Sequence, residues 1–251
     1  MKLSIVIPVY KSYDLLERCL DSVYEQINSN DNVDIIVIDD TPSEFRKEIS
    51  TRKRTNLLVR CNNKNMGVTY SRNKGWFLSD ADYVIFLDSD DYLAQSAIAN
   101  ILNQITLTNA DLLFFRTVSQ ESRLVGKVME RRRHEGVDGL VDTYNTGERM
   151  LCLKKSIKKP FVSTFRGHEF AGLINYINKV EVDRFISVDT GVMTRVYCSD
   201  NSESISKGNE LRRRNYNLVA GHFFASKYFF KRSDYIMSTL WFLRAIKGKF
   251  F

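Results

Sequence analysis

Apolar residues fall in short unbroken runs near the start of the chain, separated by segments in which they recur at helical spacing. Leu3-Ser4-Ile5-Val6-Ile7 is rich in β-branched residues and predicts a strand, stopped at Pro8, which has no N–H to give a sheet ladder. Leu15, Leu16, Cys19, Leu20 and Val23 then share one helical face, with Glu17, Arg18, Asp21 and Glu25 turned away. Asp34–Ile38 and Leu57–Val59 read as further strands, Ser71–Leu78 as a helix, and Tyr83–Leu87 as a fourth strand. Leu93, Ala97, Ile98, Ile101, Leu102 and Ile105 predict a helix over Leu93–Thr106, and Asp111–Val118 a strand after it. Strands alternating with helices imply βαβ units: an α/β fold with a mostly parallel sheet covered on both faces.

The second half is harder to read. Glu121–Gly147 is polar and contains Arg131-Arg132-Arg133, which predicts a mobile surface excursion. From about Leu211 the pattern becomes helical, basic and aromatic. That segment holds nine Lys and Arg against one acid, Asp234, so it contains the whole of the net charge of +7 over a near-neutral body. Such a tail suits an anionic surface, either lipid head groups or nucleic acid. No nucleic-acid recognition motif accompanies it, and a nucleic-acid partner is not expected. Two packings of the tail stay open: rings at a lipid interface, or rings against the core with the cations in water.

Composition sets few further limits. With 251 residues, 43% hydrophobic and 27% charged, the chain is long enough for one large domain or two intimate subdomains of a soluble protein. The four cysteines are too widely spaced for a zinc pair, and free thiols are expected. No apolar stretch approaches the roughly 18 residues of a membrane span, and no leader-like start is seen. The expected location is cytoplasmic, or peripheral on the inner face of the cell membrane.

The candidate chemistry lies at the strand ends. Strand two ends in Asp39-Asp40 and strand four in Asp88-Ser89-Asp90-Asp91. Ligands of open α/β sheets bind at the carboxyl ends of strands, so these acids should converge on one crevice. So many like charges together favour a hard cation, Mn2+ or Mg2+, shared with substrate phosphates. Alternatively, Ser89 or Asp90 merely caps the next helix.

Four blocks in order carry a resemblance. They are Ser4–Tyr10; the helix with Cys19–Val23 and Gln26; Asp34–Asp40; and the set Asn65-Met66-Gly67, Ser71–Gly75 and Phe86–Asp91. The chain resembles glycosyltransferase family 2, the inverting enzymes of GT-A fold that take a sugar from a nucleotide-sugar donor. The likeness is strong over residues 1–105 and weak beyond. It implies a nucleotide-sugar and metal-binding half over 1–110, an acceptor-binding half over 111–210, and the basic helical tail over 211–251. It implies that Pro8, Tyr10 and Asp39 hold the nucleoside, that Asp40 supports their loop, and that Arg72 approaches the diphosphate. Asp88 would face the ribose and Asp90 would ligate the metal. Asp91 would be a second partner there or a helix cap. The donor implied first is a UDP-sugar. The acceptor implied is a saccharide or lipid-linked saccharide of bacterial surface polysaccharide, such as lipopolysaccharide or capsule.

Departures from the family pattern matter. Asp39-Asp40 is followed by Thr41-Pro42-Ser43, without the family's glycine, so that turn is built differently. The Glu-Asp pair in which the family keeps its base is reduced to Gly167-His168-Glu169, ahead of an apolar helical pattern. Glu169 is the base this implies, with Asp183 and Asp189 next in line, and the alternative is a helix-start carboxylate. Arg195 matches an arginine that recurs late in the family and is carried as a phosphate or acceptor contact, or else a structural ion pair. Two other readings remain at this stage. A sugar-nucleotidyl transferase should show a glycine-rich phosphate loop, which Pro8–Ser12 is not. A non-catalytic nucleotide-binding module would accommodate the missing pair.

Overall fold

The computed structural model describes residues 1–28, 32–50, 56–129, 132–135, 146–156, 160–161, 185–198, 216–231 and 233–250. Its elements in order are β1 (Leu3–Val9), α1 (Tyr13–Tyr24), β2 (Val33–Asp39), β3 (Leu57–Cys61), α2 (Val68–Leu78), β4 (Tyr83–Phe86), β5 (Tyr92–Leu93) and α3 (Ala97–Thr108). After them come β6 (Leu112–Ser119), β7 (Arg133–Glu135), β8 (Arg149–Lys154), β9 (Ile186–Tyr197), α4 (Tyr216–Lys231) and α5 (Tyr235–Phe250). Among the described residues the strands form one sheet in the order β3-β2-β1-β4-β8-β6-β9-β5, with β7 also on β9.

The first half of the sheet is parallel. β1 pairs with β2 and β4, and β2 with β3. β8 then runs antiparallel to both β4 and β6, while β6 and β9 are parallel. The chain is thus an α/β protein with a large central sheet between helices.

Strand alternation sorts the core into two layers. Leu3, Ile5, Ile7, Val33, Ile35, Val37 and Ile85 face α1 and α3. Val6, Ile36, Ile38, Val84, Phe86 and Phe114 face the opposite way, toward Trp76 of α2 and the pair α4–α5. Both faces are buried, which is why these strands read as unbroken apolar runs. The C-terminal helices drive Ala225, Tyr228, Phe229 and Trp241 into the second layer. Part of the aromatic tail is therefore core.

Several boundaries differ from expectation, each for a local reason. β1 runs through Pro8 to Val9, and Pro8 stands opposite Ile38. Even-numbered residues of β1 bond toward β4, as the Val6 carbonyl does with Leu87 N–H, and odd ones toward β2, as Val9 does with Asp40. Pro8 faces the β4 side beyond the end of that strand, so its missing N–H breaks no ladder bond. Leu93 is not helical. It lies in β5 and pairs with Arg195 of β9, and α3 starts only at Ala97. α2 starts at Val68, before Ser71, with Gly67 at its cap in a left-handed conformation, φ 89°. Within the polar stretch after Glu121, Arg133–Glu135 pairs with β9, and Leu124 bridges back to Val118.

Candidate functional site

The parallel strands end level with one another. Val9 is in register with Asp39, and Val6 with Phe86, so the turns after β1, β2 and β4 rise side by side. The edge pairing of β5 with β9 brings Arg195 from the far half of the chain beside the acidic turn.

Asp39 and Asp40 are both buried, and their oxygens are well supplied with donors. Asp39 accepts from the Tyr13 hydroxyl at 2.9 Å and the Thr41 N–H at 2.9 Å, with Arg46 Nε at 3.5 Å. Asp40 accepts from Asn62 Nδ2 at 2.8 Å, Met66 N–H at 2.8 Å and Gly67 N–H at 2.7 Å. A carboxylate with that many donors fixes the loop that leads into α2. The glycine-free turn is held another way: Thr41 Oγ1 accepts the Lys11 N–H at 2.9 Å, tying the turn after β1 to the turn after β2.

Pro8 and Tyr10 stand at this rim, with the Tyr10 ring exposed. Lys11, in a left-handed conformation with φ 60°, places its ammonium 4.2 Å from the centre of the exposed Phe45 ring and 5.5 Å from that of Tyr10. Lys11 and Phe45 were not among the residues singled out from sequence. Their only signal is an exposed aromatic in the short turn after a strand end, where a planar base would find a stacking face.

The acidic turn is neutralised from two directions. Arg72 of α2 donates to Asp88 at 2.5 Å. Arg195 lies 3.8 Å from Asp88, 3.5 Å from Asp91 and 3.2 Å from Glu148, while its Nε donates to Thr117 at 3.1 Å. Burial pushes the Asp88 carboxyl up, but the two guanidiniums outweigh it and hold it below the ordinary carboxylate range. Burial of Asp91, reinforced by Asp88 and Asp90 against the pull of Arg195, raises it to about 7. Burial opposes the charge of Arg195, yet Asp91, Asp88 and Glu148 together hold it above the usual guanidinium range. Elsewhere the turn is pinned through backbone and hydroxyls. Arg18 donates to the Asp90 carbonyl at 2.8 Å, Ser12 and Ser89 share a bond at 2.9 Å, and Cys198 N–H donates to Asp91 at 3.1 Å.

Two of the sequence alternatives can be weighed on this geometry. Arg195 does make a buried ion pair, and it makes that pair with the acidic turn. Neither Ser89 nor Asp90 caps the following helix: α3 begins after Ser96, and β5 lies between. Glu169, His168 and Asp183 lie outside the described residues. Asp189 is fully buried and paired with Arg116 at 3.2 Å. Among the described residues no three His, Cys, Asp or Glu side chains are grouped to hold a metal. Arginines engage Asp88 and Asp91, and Asp90 is half-buried beside them. Such a set offers a hard cation one or two carboxylate oxygens, which matches ions that draw the rest of their shell from water and phosphate.

Comparison with known proteins fits this architecture. Residues 4–179 match glycosyl transferase family 2, and the chain belongs to that family. Its curated relatives include the poly(ribitol-phosphate) beta-glucosyltransferase of Bacillus spizizenii, 32% identical over 175 residues, 67% of this chain and 27% of that protein. Another is the poly(ribitol-phosphate) beta-N-acetylglucosaminyltransferase TarP of Staphylococcus aureus, 29% identical over 165 residues, 64% of this chain and 50% of that one. The chain therefore spans about a quarter to a half of the length of these relatives. Among solved structures, S. aureus TarS 1–349 in complex with UDP-GlcNAc superposes with a TM-score of 0.71 at 14% identity, covering 99% of this chain and 74% of that one. The GT-A fold implied by the sequence is the fold observed.

Proposed function

We propose that the chain is the donor-binding and catalytic part of an inverting glycosyltransferase. It would move a sugar from a UDP-sugar to a hydroxyl of an anionic surface polymer of the poly(ribitol phosphate) type. The observation that supports this most is the clamp of Arg72, Asp88, Arg195 and Asp91 at the carboxyl ends of the parallel strands. Two relatives named for poly(ribitol phosphate) favour this acceptor over lipopolysaccharide, and a structural neighbour solved with UDP-GlcNAc favours a UDP-sugar donor.

In this reading Tyr10 and Phe45 offer ring faces to the base, and Lys11 sits between them. Asp39 and Asp40 keep that rim rigid. Arg72 is oriented by Asp88 before donor arrives, so its fork meets the diphosphate with little ordering left to do. A divalent cation on Asp90 would neutralise charge on the departing diphosphate. The acceptor hydroxyl attacks the anomeric carbon as the bond to the diphosphate oxygen breaks. The configuration inverts and UDP leaves. Glu169 is assigned the hydroxyl proton on its sequence context, since Asp189 is already committed to Arg116.

The test is a transfer assay with UDP-glucose or UDP-GlcNAc, poly(ribitol phosphate) and Mn2+, followed by mass spectrometry of the products. UDP release with one hexose (from UDP-glucose) or one N-acetylhexosamine (from UDP-GlcNAc) gained per transfer is expected, and chelator or Asp90→Ala should abolish it. Glu169→Gln should lower turnover by on the order of 10²-fold or more while donor affinity stays near wild type. Release of pyrophosphate, or full activity of Asp90→Ala in excess chelator, would overturn the proposal.

A further inference from the structure

The helical hairpin at the end of the chain has two unlike faces. One contributes Ala225, Tyr228, Phe229, Trp241 and Ala245 to the interior. The other is turned away from the sheet, yet it too is apolar. Phe223 and Phe230 of α4, and Ile236, Leu240, Phe242 and Leu243 of α5, are exposed, Ile236 to 77% and Phe230 to 62%. They form one surface. Phe223 meets Phe242 edge-on across the two helices at 5.8 Å between ring centres, and Phe230 meets Tyr235 at 5.6 Å. Ile236, Leu240 and Leu243 recur at spacings of four and three along α5, so they share a stripe.

Cations frame this surface. Lys227 and Lys231 stand on the same side of α4, Lys247 continues the stripe of α5, and all three are exposed. Neither helix contains an acidic residue. Asp234, in the turn between them, is an exposed acid at one end of the hairpin, where it accepts the Met237 N–H at 3.0 Å at the start of α5. An apolar stripe with rings at its edge and lysines around it is the pattern of a helix lying in the head-group layer of a membrane.

We infer that the outer face of α4–α5 docks on an anionic lipid surface. Charge complementarity selects this occupant. A second copy of the chain meeting the same face across a two-fold axis would set lysines against lysines, with no acid on either helix to pair with them. Anionic lipid supplies the missing charge and accepts the apolar side chains together. No helix of the described residues is long and apolar enough to cross a membrane, so this contact is along the surface. The inference rests on exposure and charge and is independent of the reaction catalysed.

The test uses the full chain and sedimentation with vesicles. The chain should pellet with vesicles of phosphatidylcholine and phosphatidylglycerol at low salt, and high salt should release it. Vesicles of phosphatidylcholine alone should retain far less. Lys227→Gln with Lys231→Gln and Lys247→Gln should weaken binding by on the order of 10²-fold. Ile236→Ser with Leu243→Ser should also lose binding, while its melting curve stays that of the wild type. The idea fails if the chain ignores anionic vesicles at low salt, or if neither variant changes its binding. It fails equally if gel filtration finds a dimer that the Ile236→Ser, Leu243→Ser variant dissolves, which would give the face to a second copy.

Discussion

At position 75 the constraint is a single methyl group. A Cβ built on Gly75 falls inside the envelope of Val6 Cγ1 and 3.0 Å from Cγ2, because α2 lies directly on β1 there. Gly67, with its positive φ, is a turn glycine, but Gly75 is helical and serves close packing. Gly75→Ala should therefore destabilise by about 1–3 kcal/mol, although alanine is the better helix former by about 1 kcal/mol. Adding Val6→Ala should recover part of the loss, and urea unfolding of the single and double variants measures both. The acids at the strand ends were legible at this scale, since a β-branched run closing on carboxylates needs no tertiary information. The purpose of Gly75 and the partners of Arg195 were not, because each depends on a residue far away in the chain.

At the level of elements, α4 carries a proton-sensitive group. His222 packs against Trp241, 5.4 Å between ring centres, and burial together with the nearby Arg244 pushes its pKa down from 6.5 to about 4. Between those values the unfolded chain takes up a proton that the folded chain refuses. The contribution of His222 to stability is therefore whole above about pH 6.5 and declines as the pH falls toward 4, opposite in sign to that of Asp91, whose raised carboxyl takes up a proton in the folded state over the same window. Allowing for partial solvent screening, the loss should be on the order of 1–2 kcal/mol. Measured against His222→Gln, which retains Asp91, the melting temperature of the wild type should fall as the pH drops across that window. A wild-type profile no steeper than that of the variant would show that the imidazole carries no such linkage. Elements with a full period, such as α1 and the parallel strands, can be read from pattern alone. Leu93 shows the limit: its apolar spacing continues that of α3, and only the pairing with Arg195 makes it a strand.

Over the whole molecule, the tail is bound into the sheet it follows. Trp241 is fully buried beside strands from both halves of the chain, so Trp241→Ala should cost about 3–5 kcal/mol. Unfolding followed by far-UV circular dichroism and by tryptophan fluorescence should remain a single coincident transition. Two separated transitions would mean that the hairpin folds as its own unit. Basic charge and aromatic content announce this segment in the sequence, but they do not say which ring goes in and which stays out. That division follows from where the open face of the sheet lies.

The place of β8 has a consequence for how the protein is made. β4 ends at Phe86, yet the strand that covers its far edge spans Arg149–Lys154. On the ribosome the early parallel strands must wait with that edge bare, a template for pairing with another nascent chain. Asp88 and Asp91 wait longer, because their shared counter-cation is Arg195. A chain arrested anywhere before β9 thus has Arg72 on Asp88 but lacks the guanidinium that meets Asp91, and a finished acidic turn is among the last features that synthesis completes.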